Sequence, residues 1–115
     1  MASRNFDFNK IQRSFMTIKL KEGTLTSGDA TLVVKMPMKK TFEKMTAIQN
    51  QGTEDMSTDD AMDMIGGIVA DILSNNMQKK KITTEDITDN YDIEEMMILL
   101  DKFMEFTESI QSDPN

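Results

Sequence analysis

An α+β domain is what the sequence predicts: an N-terminal β-hairpin packed on a mainly helical bundle of three to four helices. Three observations predict it. Two runs between Phe15 and Met36 alternate apolar and polar residues, the later chain repeats apolar residues at helical spacing, and Pro37 divides the two regimes. A chain of 115 residues fits one domain, 1–115, with the hairpin at about 13–36, the helical part at about 37–110 and flexible ends. Folding at this size buries roughly two-thirds of the unfolded chain's surface, enough for one core without staples.

In the first run Met16, Ile18 and Leu20 face one way, and Thr17, Lys19 and Lys21 the other. In the second, Ala30, Leu32, Val34 and Met36 oppose Thr31, Val33 and Lys35. Both read as half-buried strands. Glu22 to Asp29, with Gly23, Ser27 and Gly28, reads as the hairpin loop. Pro37 suits the first turn of a helix, where its missing N–H costs nothing. Met38, Phe42, Met45 and Ile48 then form an apolar face, with Lys39, Lys40 and Lys44 outside. Asn50 to Met56, containing Gly52, reads as a flexible link.

Ser57 or Thr58 caps the next helix, and Asp59 and Asp60 sit in its positive first turn. Its stripe is Ala61, Met64, Ile65, Ile68, Val69, Ile72 and Leu73. Gly66 and Gly67 lie inside it, each costing about 1 kcal/mol relative to Ala. Close helix packing is the expected reason for them, and a hinge for partner binding the alternative. Ser74-Asn75-Asn76 stops this helix, Lys79-Lys80-Lys81 follows in a loop, and Thr83 or Thr84 opens a short turn through Ile87. Asp92 caps the last helix with Glu95 as its capping-box partner.

That last helix has an apolar face too wide for one-sided packing. Ile93, Met96, Met97, Leu100, Phe103, Met104 and Thr107 make one stripe, and Leu99, Phe103, Phe106 and Ile110 a second, with Ile98 beyond. The extra width implies cover by another element, a second copy or a partner. The expected partner-binding residues are therefore Met96, Met97, Leu99, Phe103, Met104, Phe106 and Ile110. Met fills core gaps, but it also coats surfaces that adapt to varied apolar partners. Met38, Met45 and Met64 fit the first role, while Met96, Met97 and Met104 beside Phe103 and Phe106 fit the second.

Composition narrows the chemistry. There is no Cys and no His, which excludes disulfides, thiolate nucleophiles, His-based triads and the usual zinc sites. No side chain with an unperturbed pKa near neutrality is left as a ready general base. The expectation is a protein that is not an enzyme and carries no cofactor or metal. Residues 1–50 carry +5 and residues 51–115 carry −12, so the acidic half repels phosphates. The basic half meets either an acidic partner or the other half of its own molecule. No run approaches the roughly 20 apolar residues of a membrane span, and the start lacks a secretory signal's apolar run.

Chemical motifs are absent where the acids invite them. An EF-hand counted from Asp86 would need an acid or amide at Thr88, Gly at Tyr91 and Glu at Met97. Glu94 and Glu95 point to different sides of their helix. Thr84 to Phe103 is helix–turn–helix in outline, but its second helix offers Glu94, Glu95, Asp101, Glu105 and Glu108 against Lys102, so it cannot read DNA. There is no phosphate loop, nucleotide fingerprint or long repeat.

Phe6-Asp7-Phe8-Asn9-Lys10-Ile11, then Leu32-Val33-Val34-Lys35-Met36-Pro37 with Lys39-Lys40-Thr41-Phe42-Glu43-Lys44, resemble the N-terminal half of small tail assembly chaperones of long-tailed phages and prophages of Gram-positive bacteria. Ile72-Leu73-Ser74-Asn75-Asn76, Lys81-Ile82-Thr83, Tyr91-Asp92-Ile93-Glu94 and Phe103-Met104-Glu105-Phe106 extend the likeness to about Ile110. The matching patterns are packing and capping patterns, and the loop from Glu22 to Asp29 looks longer than is usual in the family. The resemblance implies a protein that coats the tape measure protein until tail tube subunits replace it. It also implies that this chain is the short form of a pair whose longer form arises by frameshift. Its place would be the bacterial host cytoplasm, and it would not be part of the mature virion.

The expected function is thus a non-catalytic phage tail assembly chaperone with the tape measure protein as client and no nucleic acid or membrane partner. An adaptable Met/Phe surface on an acidic carrier suits an apolar helical client. The wide stripes are also compatible with rings or spirals of copies. One alternative is an acidic DNA-mimic inhibitor of a nucleic-acid-binding protein, which the acidic half favours and the apolar stripe opposes. The other is a minor structural tail protein.

Overall fold

The computed structural model describes residues 14–24, 31–52 and 54–112. Strands β1 (Phe15–Lys19) and β2 (Thr31–Lys35) precede helices α1 (Lys39–Gln51), α2 (Thr58–Ser74), α3 (Thr84–Thr88) and α4 (Ile93–Ser112). The architecture is α+β, an antiparallel hairpin on a helical bundle, as the patterning predicts. Phe15 stands opposite Lys35 and Lys19 opposite Thr31. Alternation puts Leu32 and Val34 fully inside, with Ile18 and Leu20 nearly so. The motif Phe6 to Ile11 and most of the expected hairpin loop lie outside the described residues.

Helix α2 is central, packing against β2, α1, α3 and α4. Its burial therefore exceeds the expected stripe: Ala61, Ile65, Ile68, Val69, Ile72 and Leu73 are joined by Gly66 and Ala70. Phe103, Leu100 and Met96 of α4, Ile87 of α3 and Met45 of α1 complete the core. Each buried Leu, Ile or Phe contributes about 1.5–3 kcal/mol relative to exposure.

Helix starts follow local chemistry. Ser57 Oγ accepts the Asp60 N–H at 3.1 Å and begins α2. Thr83 and Asp86 form a reciprocal capping box on α3, at 3.1 and 3.0 Å. Asp92 and Glu95 do the same for α4, at 2.8 and 2.9 Å. Helix α1 differs, because Met38 at its N-cap offers no side-chain acceptor and no acid occupies the first turn. Pro37 lies ahead of that cap rather than in the helix's first turn. Gly52, with φ 71°, ends α1 in the left-handed region that other residues avoid.

Ser74-Asn75-Asn76 ends α2 and then builds the loop beyond it. Ser74 Oγ donates to the Ile82 carbonyl and accepts its N–H, both at 2.9 Å. Asn76 is buried; its Nδ2 donates to the Leu73 and Lys80 carbonyls at 2.7 Å, and its Oδ1 accepts the Lys80 N–H at 2.9 Å. Asn76 also bridges Val34, so this segment lies along the outer edge of β2. The Lys35 N–H donates to the Asn75 carbonyl at 2.9 Å, and the Met77 N–H to the Val33 carbonyl at 2.8 Å. The Gln78 side chain then accepts the Val33 N–H and donates to the Thr31 carbonyl, each at 3.1 Å.

The helical faces expected for Met38 and Met64 are corrected. Met38 is 73% exposed and Met64 46% exposed, whereas Met45 is fully buried. Met38 precedes the first turn of α1, and Met64 lies on the flank of α2 away from its buried arc.

Candidate partner-binding groove

Helix α4 does not present the seven expected partner residues as one surface. Met96, Phe103 and Met104 are buried in the chain's own core, which corrects their assignment as partner residues. They line the side of α4 that meets α2, and self-packing removes them from any partner. Met97, Leu99 and Phe106 are partly exposed and lean on that core. Leu99 and Phe106, at i and i+7, share one flank of the buried stripe, while Met97 lies on the other. Phe106 rests on Phe103 with ring centroids 5.7 Å apart. The side chain of Ile110 lies outside the described residues. Ile98, 58% exposed, stands on the far side of the helix.

A wider apolar surface lies where the patterning did not point. An open groove of about 620 Å³ runs between α1 and α2. From α1 it takes Lys44, Ala47 and Ile48, at i, i+3 and i+4. From α2 it takes Asp63, Met64, Gly67, Ile68 and Asp71, again on one face. Gly52, Asp55 and Met56 of the connecting segment close one side, and Thr84 of α3 touches the groove. Ile48 and Ile68 make a buried floor, and Met56 and Met64 form flexible walls.

The rim is acidic. Lys44 Nζ donates to Asp71 Oδ2 at 3.2 Å and ties the two helices together. Asp55 and Asp63 make no ion pair among the described residues. Met64 and Gly67, spaced with Asp63 and Asp71 on one helical face, were the signal available in the sequence. The depth of the groove was not, because it depends on how far α1 stands from α2.

The two adjacent glycines prove different. A Cβ on Gly66 would come within 2.7 Å of Thr88 Cγ2, so close packing of α2 on α3 explains Gly66. A Cβ on Gly67 would meet nothing nearer than Thr84 Oγ1 at 3.7 Å, an ordinary contact.

On the opposite side of the molecule a polar cluster joins the hairpin to the α3–α4 junction. The Lys21 ammonium pairs with the Glu95 carboxylate and donates to the Asn90 carbonyl at 3.2 Å. The hydrogen bond from Lys21 and the Asp92 backbone N–H hold the Glu95 carboxyl below its ordinary pKa. The pairing stabilises the charge on Glu95. Among the described residues no group of three or more acids is arranged to hold a metal ion, and no helix is long and apolar enough to cross a membrane.

No family model, no curated protein and no solved structure matches the chain.

Proposed function

We propose that this chain is a non-catalytic tail assembly chaperone of a long-tailed phage or prophage, acting in the bacterial host cytoplasm and absent from the finished virion. The observation that carries the reading is the open apolar groove between α1 and α2, walled by Met56 and Met64. Long helical proteins with apolar stripes aggregate unless covered, and a methionine-lined groove adapts to varied apolar side chains. The resemblance to tail assembly chaperones supplies the client, the tape measure protein. An open groove also suits a contact that tube subunits must later displace.

Co-expression with the long helical protein encoded just downstream tests the proposal. The expected result is a client soluble in this chain's presence alone, and co-elution of the two. A client soluble by itself, or insoluble in both conditions, overturns it. Recovery of this chain from purified virions would instead favour a structural tail subunit.

A further inference from the structure

We infer that the α1–α2 groove takes an amphipathic helix whose apolar stripe is flanked by Lys or Arg, and that Gly67 keeps the groove open for it. The inference deepens the proposed binding role and rests on the same groove. Asp63, Met64, Gly67, Ile68 and Asp71 form a continuous stripe along α2. At 1.5 Å per residue it runs about 12 Å from Asp63 to Asp71, two helical turns, the length over which a docked helix places successive anchors. The stripe is interrupted at its middle by a residue without a side chain. The structure leaves room for a Cβ at that point, so packing does not explain Gly67, and helix propensity disfavours it. What the missing side chain provides is a notch in the floor, where a side chain from another helix seats between Met64 and Ile68.

Charge selects the occupant. Of the groove's four charged residues, Lys44 is held by Asp71, which leaves Asp55 and Asp63 to face whatever enters. A helix with Lys or Arg beside its apolar stripe meets both carboxylates, and one flanked by acids is repelled. A second copy of this chain fits poorly, since its α2, α3 and α4 come from residues 51–115, which carry −12, and its lysine-flanked α1 already packs on its own α2.

The test uses two designed helical peptides of identical leucine stripe, one flanked by lysines and the other by glutamates. Binding to the full chain is read by calorimetry and by methyl NMR of the methionines. The Leu–Lys peptide should bind with salt-sensitive affinity, shift the Met56 and Met64 methyls and leave Met38 unmoved. The Leu–Glu peptide should bind at least about 10-fold more weakly. Gly67→Leu should fill the notch and weaken Leu–Lys binding about 10- to 100-fold, the equivalent of one lost apolar anchor, while raising the melting temperature. The double variant Asp55→Asn, Asp63→Asn should erase the preference for lysine, and it covers the case in which Gly67→Leu fails to fold. Equal binding of both peptides, or unchanged Leu–Lys binding by folded Gly67→Leu, overturns the inference. So does concentration-dependent self-association that Gly67→Leu abolishes, which would give the groove to a second copy. Peptide binding as described without client co-purification would remove the tape measure assignment alone. A client that still co-purifies with Gly67→Leu would preserve that assignment and remove this inference.

Discussion

Lys21 and Tyr91 are joined through both backbone and side chain: the Lys21 N–H donates to the Tyr91 hydroxyl at 2.9 Å, and the Lys21 ammonium stands 5.0 Å from the centroid of the same ring. The hydroxyl also meets buried Thr24 Oγ1 at 3.1 Å. Beside these contacts a cavity of about 120 Å³ is lined by Ile18, Leu20, Tyr91, Glu95, Met96 and Leu99. The hairpin is therefore fastened to the α3–α4 junction and the first turn of α4 by a polar clamp.

The Glu95 carboxyl of the clamp has a lowered pKa. Lys21 and the Asp92 N–H stabilise its charged form, so its folded pKa lies below the ordinary 4.5. A depressed folded pKa gives stability that is present above the unfolded value and is lost as pH falls through the folded one. Glu95→Gln keeps an acceptor for the capping box and removes the charge. Thermal melts should show wild type above Glu95→Gln near neutrality, with the gap closing on acidification. A gap independent of pH would mean that the charge contributes nothing.

Asn76 should matter more than any exposed polar residue. Asn76→Ala removes three hydrogen bonds at a buried position, two to the Lys80 backbone and one to the Leu73 carbonyl. The expected cost is about 2–3 kcal/mol by urea unfolding. A loss under about 0.5 kcal/mol would show that the loop satisfies those groups in another way.

Helix α1 begins without a cap and with Lys39 and Lys40 at its positive end. Met38 already has the extended backbone of an N-cap, φ −74° and ψ 162°, and is largely exposed. Met38→Asp should stabilise the chain by about 1 kcal/mol through an acceptor for the first-turn N–H groups. Hydrogen exchange should slow most in α1.

Gly66→Ala should be unfavourable, by about 1 kcal/mol, although alanine favours helix. The new methyl meets Thr88 Cγ2, and the threonine must turn away from α2. Combining Gly66→Ala with Thr88→Ser removes that methyl and should recover the loss, a non-additivity that denaturant melts of the four proteins measure directly.

Local chemistry was the legible part of this chain. Ser57, Thr83 and the Asp92–Glu95 pair act within one helical turn of themselves, and alternation over Met16–Leu20 and Leu32–Val34 declares an inner face without reference to the rest of the fold. Periodicity could not say which arc of a helix its neighbours cover. Met64 belongs to the stripe of α2 by spacing, yet α1 stands away from that arc, while Gly66 and Ala70 are covered because α2 is central. The wide face of α4 misled for a related reason. Its middle is occupied by the chain's own α2, and what remains exposed is split between two flanks. The groove between α1 and α2 is a property of the gap between helices, and a gap has no residue pattern of its own.

Gln78 has a consequence for how this molecule behaves in a crowd. By lending its side-chain amide to the backbone of Val33 and Thr31, it occupies hydrogen-bonding positions on the edge of β2 that an incoming strand would use. Asn76 blocks the same edge at Val34. The hairpin cannot be templated from that side, so cross-strand polymerisation has at most one direction of growth, outward from β1. The edge of β2 is thus sealed by residues of the chain's own α2–α3 connection.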